Sequence, residues 1–258
     1  MNLTAVIITH NEERNIGRCL DSLTGVADEV VVVDSFSTDG TESICREKGA
    51  RFFQHAFDGY AEQKNWADAQ AKYPWVLSLD ADEALSPSLR ASVLLAKNRG
   101  SHEAYSMNRL TNYCGQWIRH SGWYPDRKVR LFQREKARWG GPAVHERLLL
   151  DDPQSVGFLA GDLLHFSYYT VEEHRVRAAR YADLGAQVLF AKGKKAQWWN
   201  LVFSPAFKFL RNYMLRCGFL DGRAGWTICR IAALETYWKY RELARLVRAA
   251  SEQGTQSQ

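Results

Sequence analysis

The stretch Trp-Val-Leu-Ser-Leu-Asp-Ala-Asp-Glu-Ala-Leu, residues 75–85, is an apolar run that stops abruptly at Asp80, Asp82 and Glu83. The run predicts a buried β-strand that ends at the edge of a sheet. Because side chains alternate along a strand, Asp80 and Asp82 are expected on the same side of its end. Such a pair favours a divalent cation, although capping of the next helix explains the same residues equally well.

Predicted strands and helices alternate around this stretch. The strands lie at Leu3–Thr9, Glu29–Val33, Arg51–His55 and Trp75–Leu79. Their alternation with helical patterns predicts an α/β fold with a doubly wound, mainly parallel sheet. Right-handed crossovers would bring the ends of the first, second and fourth strands to one edge. The acidic side chains expected to converge there are Glu12, Asp34, Asp39, Asp80 and Asp82.

The composition is that of a folded protein. Of 258 residues, 46% are apolar and 24% are charged, which fits one large domain, alone or with an appendage. The five cysteines form an odd set without a Cys-x-x-Cys pair, so a reducing compartment is expected. The N-terminal segment lacks the pattern of a signal peptide, and no segment reaches the roughly 20 apolar residues of a spanning helix.

The second half of the chain predicts strands first and helices later. The region Ala104–Leu150 alternates in polarity and contains a turn-rich, aromatic loop at Asn112–Asp126, and Phe158–His165 predicts a further strand. A capping box at Thr170–Glu173 opens a helix. We therefore expect a first domain at residues 1–166, a helical extension at 167–250 and a disordered tail at 251–258.

The helical extension is basic and aromatic. Its excess of Lys and Arg over Asp and Glu is larger than the net charge of +5 of the whole chain. Aromatic and basic residues interleave from Trp198 to Arg216, which suits an anionic membrane surface, although an ordinary amphipathic helix packed on a core has the same spacing. A nucleic-acid partner is disfavoured because these aromatic residues lie in a helical pattern and not on a stacking sheet.

Four motifs carry a resemblance to a known family. They are Val6–Ile16 (Val-Ile-Ile-Thr-His-Asn-Glu-Glu-Arg-Asn-Ile), Val31–Thr41 (Val-Val-Val-Asp-Ser-Phe-Ser-Thr-Asp-Gly-Thr), Gln63-Lys-Asn65 and Leu79-Asp-Ala-Asp-Glu83. In this order they resemble family 2 glycosyltransferases, whose fold is GT-A, a Rossmann-like α/β fold. Further motifs resemble the subgroup that acts on the inner core of lipopolysaccharide, most of all β-1,4-glucosyltransferases acting on the first heptose. These are Trp123–Phe132, Val144–Glu146, His165–Tyr168 and Gly218–Gly222.

The resemblance implies roles for the residues at the strand ends. The nucleotide sugar would be bound by Thr9, Asn11, Glu12, Asp34, Asp39, Lys64 and Asp80. Asp34 would accept a hydrogen bond from the uracil ring. A divalent metal, Mn²⁺ or Mg²⁺, would be held by Asp82 and Asp80, with His165 completing the set. For His165 a packed, hydrogen-bonded histidine is an equally good interpretation.

The resemblance leaves the catalytic base open. The family has an acidic Glu-Asp motif after the central strands, and this chain has His145-Glu146 there. Glu146 is the first candidate, and Asp126 in the aromatic loop is its rival. Arg127 and Arg130 follow Asp126, where they either bind a phosphate of the acceptor or form a solvated strand face.

The sequence therefore predicts a metal-dependent, inverting hexosyltransferase. It would move glucose from UDP-glucose to the lipid-anchored inner core of lipopolysaccharide, as a peripheral protein on the cytoplasmic face of the inner membrane. One alternative is a protein or peptide glycosyltransferase on the same fold. Another is a nucleotide-binding protein that docks on membranes without catalysis.

Overall fold

The computed structural model describes residues 1–141 and 146–256 of the chain. Its first part alternates strands and helices, as the sequence predicts. The elements are β1 (Leu3–Thr9), α1 (Ile16–Leu23), β2 (Glu29–Asp34), α2 (Thr41–Glu47), β3 (Arg51–Gln54), α3 (Tyr60–Ala69), β4 (Trp75–Asp80), β5 (Glu83–Leu85) and α4 (Pro87–Arg99). The four strands predicted here begin at the predicted residues and end within one residue of the predicted ends.

The next elements are mostly strands. They are β6 (Ala104–Tyr113), β7 (Gln116–Ile118), β8 (Asp126–Gln133), β9 (Ala137–Gly140), β10 (Arg147–Leu150) and β11 (Val156–Tyr168). The main sheet has the order β3-β2-β1-β4-β8-β6-β11-β5, with β7 paired to β6 and with β9 and β10 in a separate ribbon. Neighbours among β1 to β4 pair in parallel, whereas β8 pairs antiparallel with both β4 and β6.

Both faces of the parallel half are covered. In β1, Ala5 and Ile7 belong to one buried apolar cluster and Val6 belongs to the other. In β2, Val32 lies in the first cluster, and the valines on either side of it lie in the second. Successive side chains therefore enter different cores, which explains why β2 is an unbroken valine run and not an alternating strand.

The remaining elements are helical. They are α5 (Val171–Ala191), α6 (Trp198–Leu210), a π-helical segment (Arg211–Leu215), a 3₁₀ segment (Gly218–Asp221) and α7 (Gly222–Gln256). The predicted capping box is present: the Thr170 side chain accepts from the Glu173 backbone N–H, and Glu173 accepts from that of Thr170. Across the described residues, none of the helices combines the length and the hydropathy needed to cross a bilayer.

The chain forms two compact units, residues 1–110 with 125–166 and residues 111–124 with 167–258. The sequence predicts the boundary at 166/167 but places 111–124 in the first domain. Asp221 explains the assignment of this loop, because its buried carboxylate accepts from the backbone N–H groups of Arg119 and His120 and from the Ser121 hydroxyl.

The last helix is longer than the sequence predicts. It begins at Gly222 and continues to Gln256, through most of the predicted disordered tail. The Ser251 hydroxyl donates to the carbonyl of Val247, one turn earlier, as expected for a serine inside a helix.

Candidate active site

The ends of three neighbouring parallel strands form the edge on which the site is built. Strand pairing aligns Thr9 with Asp34 and Ile8 with Asp80. All of these residues lie at or next to the carboxyl end of a strand, where open α/β sheets bind ligands. The convergence predicted for the first, second and fourth strands is therefore present in the backbone.

The loops after β1 and β2 are tied together by hydrogen bonds. The Asn11 backbone N–H donates to the Ser37 hydroxyl at 2.7 Å, and the Asn11 side chain accepts from the Thr38 N–H at 2.8 Å. Asn11 has a φ of 54°, a left-handed conformation that asparagine tolerates better than most residues. Asn11 thus holds both loops in a defined arrangement at the strand ends.

The acidic side chains of these loops are largely engaged within the protein. Asp34 is fully buried and accepts from both the backbone N–H and the hydroxyl of Ser37. Asp39 accepts from the Thr41 hydroxyl at 2.6 Å, and burial, which raises its pKa, is outweighed by hydrogen bonds that lower it. The Glu12 backbone N–H donates to the Thr41 hydroxyl at 2.9 Å.

Asp80, whose side chain is 30% exposed, pairs with a network of buried side chains. Its Oδ2 lies 2.7 Å from Arg130 Nη2, and its Oδ1 lies 3.1 Å from Lys64 Nζ. Arg130 also lies 2.9 Å from Glu83 Oε1. Burial raises the pKa of Asp80, but the positive charges of Arg130 and Lys64 outweigh burial and hold it well below its ordinary value. Asp80 is therefore ionised across the physiological pH range.

Lys64 connects Asp80 to the first candidate for the catalytic base. Its side chain is 2% exposed, and its Nζ lies 3.5 Å from Glu146 Oε1. The same ammonium lies 4.6 Å from the centroid of the Trp139 ring, close enough for a cation–π contact. Glu146 itself is 23% exposed, so its carboxylate borders solvent next to Asp80.

The rival base, Asp126, lies at the other end of the same network. Its Oδ2 is 2.7 Å from Arg109 Nη2, and its Oδ1 is 3.1 Å from Lys128 Nζ. Arg109 also lies 3.4 Å from Glu83, which links Asp126 to the network around Asp80. Both oxygens of Asp126 thus contact cations, which hold this carboxylate in place.

Asp82 and His165 form a separate pair beside the network. His165 Nε2 lies 3.2 Å from Asp82 Oδ2, and strand pairing places His165 opposite Glu83. The Asp82 backbone carbonyl accepts a hydrogen bond from the Phe166 N–H at 2.9 Å, which holds the backbone at Asp82 next to the backbone at His165. Within residues 1–141 and 146–256 no three His, Cys, Asp or Glu side chains form a group able to hold a metal ion. Any cation here would need oxygen ligands from a substrate or from water.

Both interpretations of Arg130 made from the sequence are wrong. Arg130 is neither on a solvated face nor free for a phosphate, because its side chain is 5% exposed and paired with Asp80 and Glu83. Arg109 was missed altogether, since strand position alone does not reveal a partner 17 residues away. His145 lies outside the described residues.

Comparison with known proteins identifies the class of enzyme. The family model for glycosyl transferase family 2 matches residues 4–150. The lipopolysaccharide core biosynthesis glycosyltransferase LpsC of Rhizobium meliloti (strain 1021) is 32% identical, over 94% of each chain. An uncharacterized glycosyltransferase of Rickettsia typhi is 28% identical, over 95% of this chain and 87% of its own. The chain belongs to glycosyl transferase family 2 and is a glycosyltransferase.

A solved structure shares this fold. The crystal structure of a mycobacterial protein matches with a TM-score of 0.51 at 17% identity, covering 73% of each chain. Glucosyl-3-phosphoglycerate synthase from Mycobacterium tuberculosis, in complex with Mn²⁺, UDP and glucosyl-3-phosphoglycerate, matches with a TM-score of 0.48 at 16% identity, over 69% of this chain and 77% of that one. The predicted GT-A fold with a helical C-terminal extension is confirmed.

Proposed function

We propose that this enzyme transfers a hexose, with inversion, from a UDP-sugar to the inner core of lipopolysaccharide, and that the donor is UDP-glucose. The observation that carries the proposal is the buried Lys64, whose ammonium contacts Asp80 at 3.1 Å and Glu146 at 3.5 Å. It joins a carboxylate at the end of a central strand to a partly exposed carboxylate suited to proton abstraction. A candidate residue for donor binding and a candidate base for the acceptor hydroxyl therefore lie in one cluster.

The nucleotide part of the donor is assigned to the loops after β1 and β2. Each carboxylate oxygen accepts two hydrogen bonds, so Asp34 keeps lone pairs for the uracil N–H beyond those used by Ser37. The Thr9 hydroxyl is buried and has no hydrogen-bond partner in the described part of the chain. Asn11 and Asp39 shape these loops, and Glu12 would lie near the ribose.

A divalent cation, Mn²⁺ or Mg²⁺, is assigned to Asp82 and His165. Their side chains lie 3.2 Å apart and are 20% and 14% exposed, so one ion can contact both. Such ions are commonly held by one or two carboxylates together with substrate phosphates and water, which fits a site with two protein ligands. When bound, the ion would neutralise charge on the departing diphosphate. Asp80, paired with two cations, would orient the ribose and support the ion.

Glu146 is assigned as the catalytic base. The acceptor hydroxyl oxygen forms a bond to the anomeric carbon while the bond from that carbon to the diphosphate oxygen breaks, and UDP leaves with the electron pair. Glu146 takes the hydroxyl proton. Among the described residues its carboxylate has one charged contact, 3.5 Å to Lys64, whereas Asp126 pairs with Arg109 and Lys128. Glu146 therefore has more room for an acceptor hydroxyl.

The proposed acceptor is supported by a relative, and the proposed location is supported by the second unit. The relative from Rhizobium meliloti is named for lipopolysaccharide core biosynthesis, which supports a lipid-anchored core oligosaccharide as the acceptor. The second unit exposes large apolar side chains, among them Trp198, Phe203 and Leu215. These suit insertion at a membrane interface, and the basic residues between them suit its anionic lipids. We place the enzyme as a peripheral protein on the cytoplasmic face of the inner membrane.

The test is transfer by the purified protein, read by mass spectrometry. UDP-glucose and other UDP-hexoses are offered with a lipid-anchored core acceptor or with a peptide, and the mass of one hexose is expected on the core acceptor. Glu146→Gln should lower kcat by on the order of 100-fold or more, the usual contribution of a general base. The exposed Glu135→Gln is the control and should leave kcat unchanged.

Two outcomes would contradict the proposal. Hexose on the peptide alone would give the protein another acceptor. Loss of transfer in Asp126→Asn, with normal transfer in Glu146→Gln, would identify Asp126 and not Glu146 as the base.

A further inference from the structure

A groove of about 510 Å³ lies between α6 and α7, within the second unit. One wall carries Trp199, Phe203 and Phe207, which follow one another at intervals of four residues and therefore share one face of α6. They are 48%, 62% and 61% exposed. A stripe of aromatic side chains this exposed is unusual in a protein without a partner for it.

The apolar face extends beyond the groove. No side chain of α6 is buried, although most of its residues are apolar. Leu210, Leu215 and Leu220 lie further along the chain and are 56%, 76% and 60% exposed. This pattern is typical of an amphipathic segment whose apolar side contacts a partner or a membrane.

The rest of the groove's lining is cationic. This cationic wall is formed by Lys208 of α6, by Arg211 in the π-helical segment that follows α6 and by Lys239 of α7. In the described part of the chain none of these cations lies within 4.0 Å of a carboxylate oxygen. The Nε of Arg211 is buried and has no hydrogen-bond acceptor among these residues. The groove therefore presents unpaired donors and three positive charges beside an apolar wall.

The charges of this wall oppose one another. Burial lowers the pKa of Lys208, Arg211 lowers it further, and Glu235 acts in the opposite direction. Among the described residues, Glu235 is the carboxylate that acts on Lys208, and burial raises the pKa of Glu235 while Lys208 and Lys239 lower it. A ligand with negative charge would relieve the repulsion among the cations, and Glu235 alone does not balance three of them.

We propose that the groove between α6 and α7 binds the phosphate head group of an anionic membrane phospholipid. The cationic wall holds the phosphate through Arg211 and the two lysines, and an acyl chain runs along the aromatic wall from Trp199 to Phe207. Only an amphiphile uses both walls, which favours a lipid over a soluble anion. The inference rests on the membrane location in the proposed function, but not on its transfer chemistry.

Co-sedimentation of the full chain with vesicles tests the site. Vesicles of phosphatidylcholine alone are compared with vesicles of phosphatidylcholine and phosphatidylglycerol in equal amounts. We expect binding to the anionic vesicles. Lys208→Gln/Arg211→Gln/Lys239→Gln should weaken it on the order of 100-fold, at about fivefold per cation near a membrane surface.

The matched control removes the same charge outside the groove. Lys192→Gln/Lys194→Gln/Lys195→Gln changes three exposed lysines and should weaken binding by less than about tenfold, because exposed charges are screened by salt. Equal losses in the two triple variants would overturn the site in favour of diffuse attraction. Phe203→Ser/Phe207→Ser, checked for folding by circular dichroism, should also lose vesicle binding, and full retention would overturn the aromatic wall.

The same variants separate the lipid from other occupants. If the groove variants bind vesicles normally but show a raised KM for the lipid-anchored acceptor, the groove binds the acceptor and the proposal is wrong. If the wild type binds anionic vesicles through the groove but transfers no sugar, the transfer proposal fails while the groove assignment is supported.

Discussion

Replacing Arg130 with methionine should destabilise the protein by about 3 kcal/mol. Removing one partner of a buried ion pair costs about 3–5 kcal/mol, because the remaining charge is left without compensation in the interior. Here Arg130 forms ion pairs with Asp80 at 2.7 Å and with Glu83 at 2.9 Å. Because Lys64 still contacts Asp80 at 3.1 Å and Arg109 contacts Glu83 at 3.4 Å, we expect the lower end of this range.

The control is an ion pair on the surface. Arg46 and Glu42 lie 2.8 Å apart on α2, with side chains that are 62% and 43% exposed. Arg46→Met should cost only a few tenths of a kcal/mol, because solvent already screens such a pair. Urea unfolding of both variants at pH 7 measures the difference. If Arg130→Met lowers the free energy of unfolding by less than about 1 kcal/mol, the ion pairs of Arg130 do not behave as buried ones and the reasoning is refuted.

A double variant and the pH dependence of stability test the network further. Arg130→Met/Glu83→Gln should be more stable than Arg130→Met, because it also removes the buried charge of Glu83, which has lost its nearer cation. The pKa of Asp80 is held low in the folded protein, so its contribution to stability is present above its ordinary value of 3.8 and is lost as the pH falls below that value. Arg130→Met should therefore show a shallower loss of stability on acidification than the wild type.

Further predictions concern stability. Burial raises the pKa of Asp68 from 3.8 to about 7, so folding holds its proton in this range and stability should fall by up to about 4 kcal/mol as the pH rises from 4 to 7. Asp68→Asn, which keeps an acceptor for the Trp139 indole N–H, should flatten this part of the profile in urea unfolding, and an unchanged profile would contradict the assignment. Gly161→Ala should lower the melting temperature, because Gly161 has a φ of 100° and an added Cβ would lie 2.4 Å from the Leu89 backbone nitrogen. A melting temperature equal to that of the wild type would contradict this. Thr170→Ala should cost about 1 kcal/mol through loss of the cap of α5, and Thr170→Ser should cost less.

The parallel half of the fold could be predicted because its signals are local. The valine run of β2 and the alternation of strands with helical segments are read within short windows. The carboxylates of Asp80 and Asp82 follow an apolar run directly, so their place at a strand end was visible in the sequence. The family motifs then indicated the function through their resemblance to glycosyltransferases.

The network behind the site could not be predicted in this way. Lys64 and Glu146 are 82 residues apart, and Arg130 and Asp80 are 50 apart, so their contacts depend on how α3, β4 and β8 meet. An arginine on a strand has the same local pattern whether it faces solvent, a phosphate or a buried carboxylate. The choice between Glu146 and Asp126 likewise depends on which cations surround each carboxylate.

The most direct test of the account is calorimetric binding of UDP with and without Mn²⁺, in the wild type and in Asp82→Asn. The proposed ion is held by Asp82 and His165, which lie 3.2 Å apart, and would contact the diphosphate. Mn²⁺ should raise the affinity of the wild type for UDP on the order of tenfold or more, and Asp82→Asn should abolish the increase. An equal increase in Asp82→Asn would contradict the assignment of the metal site.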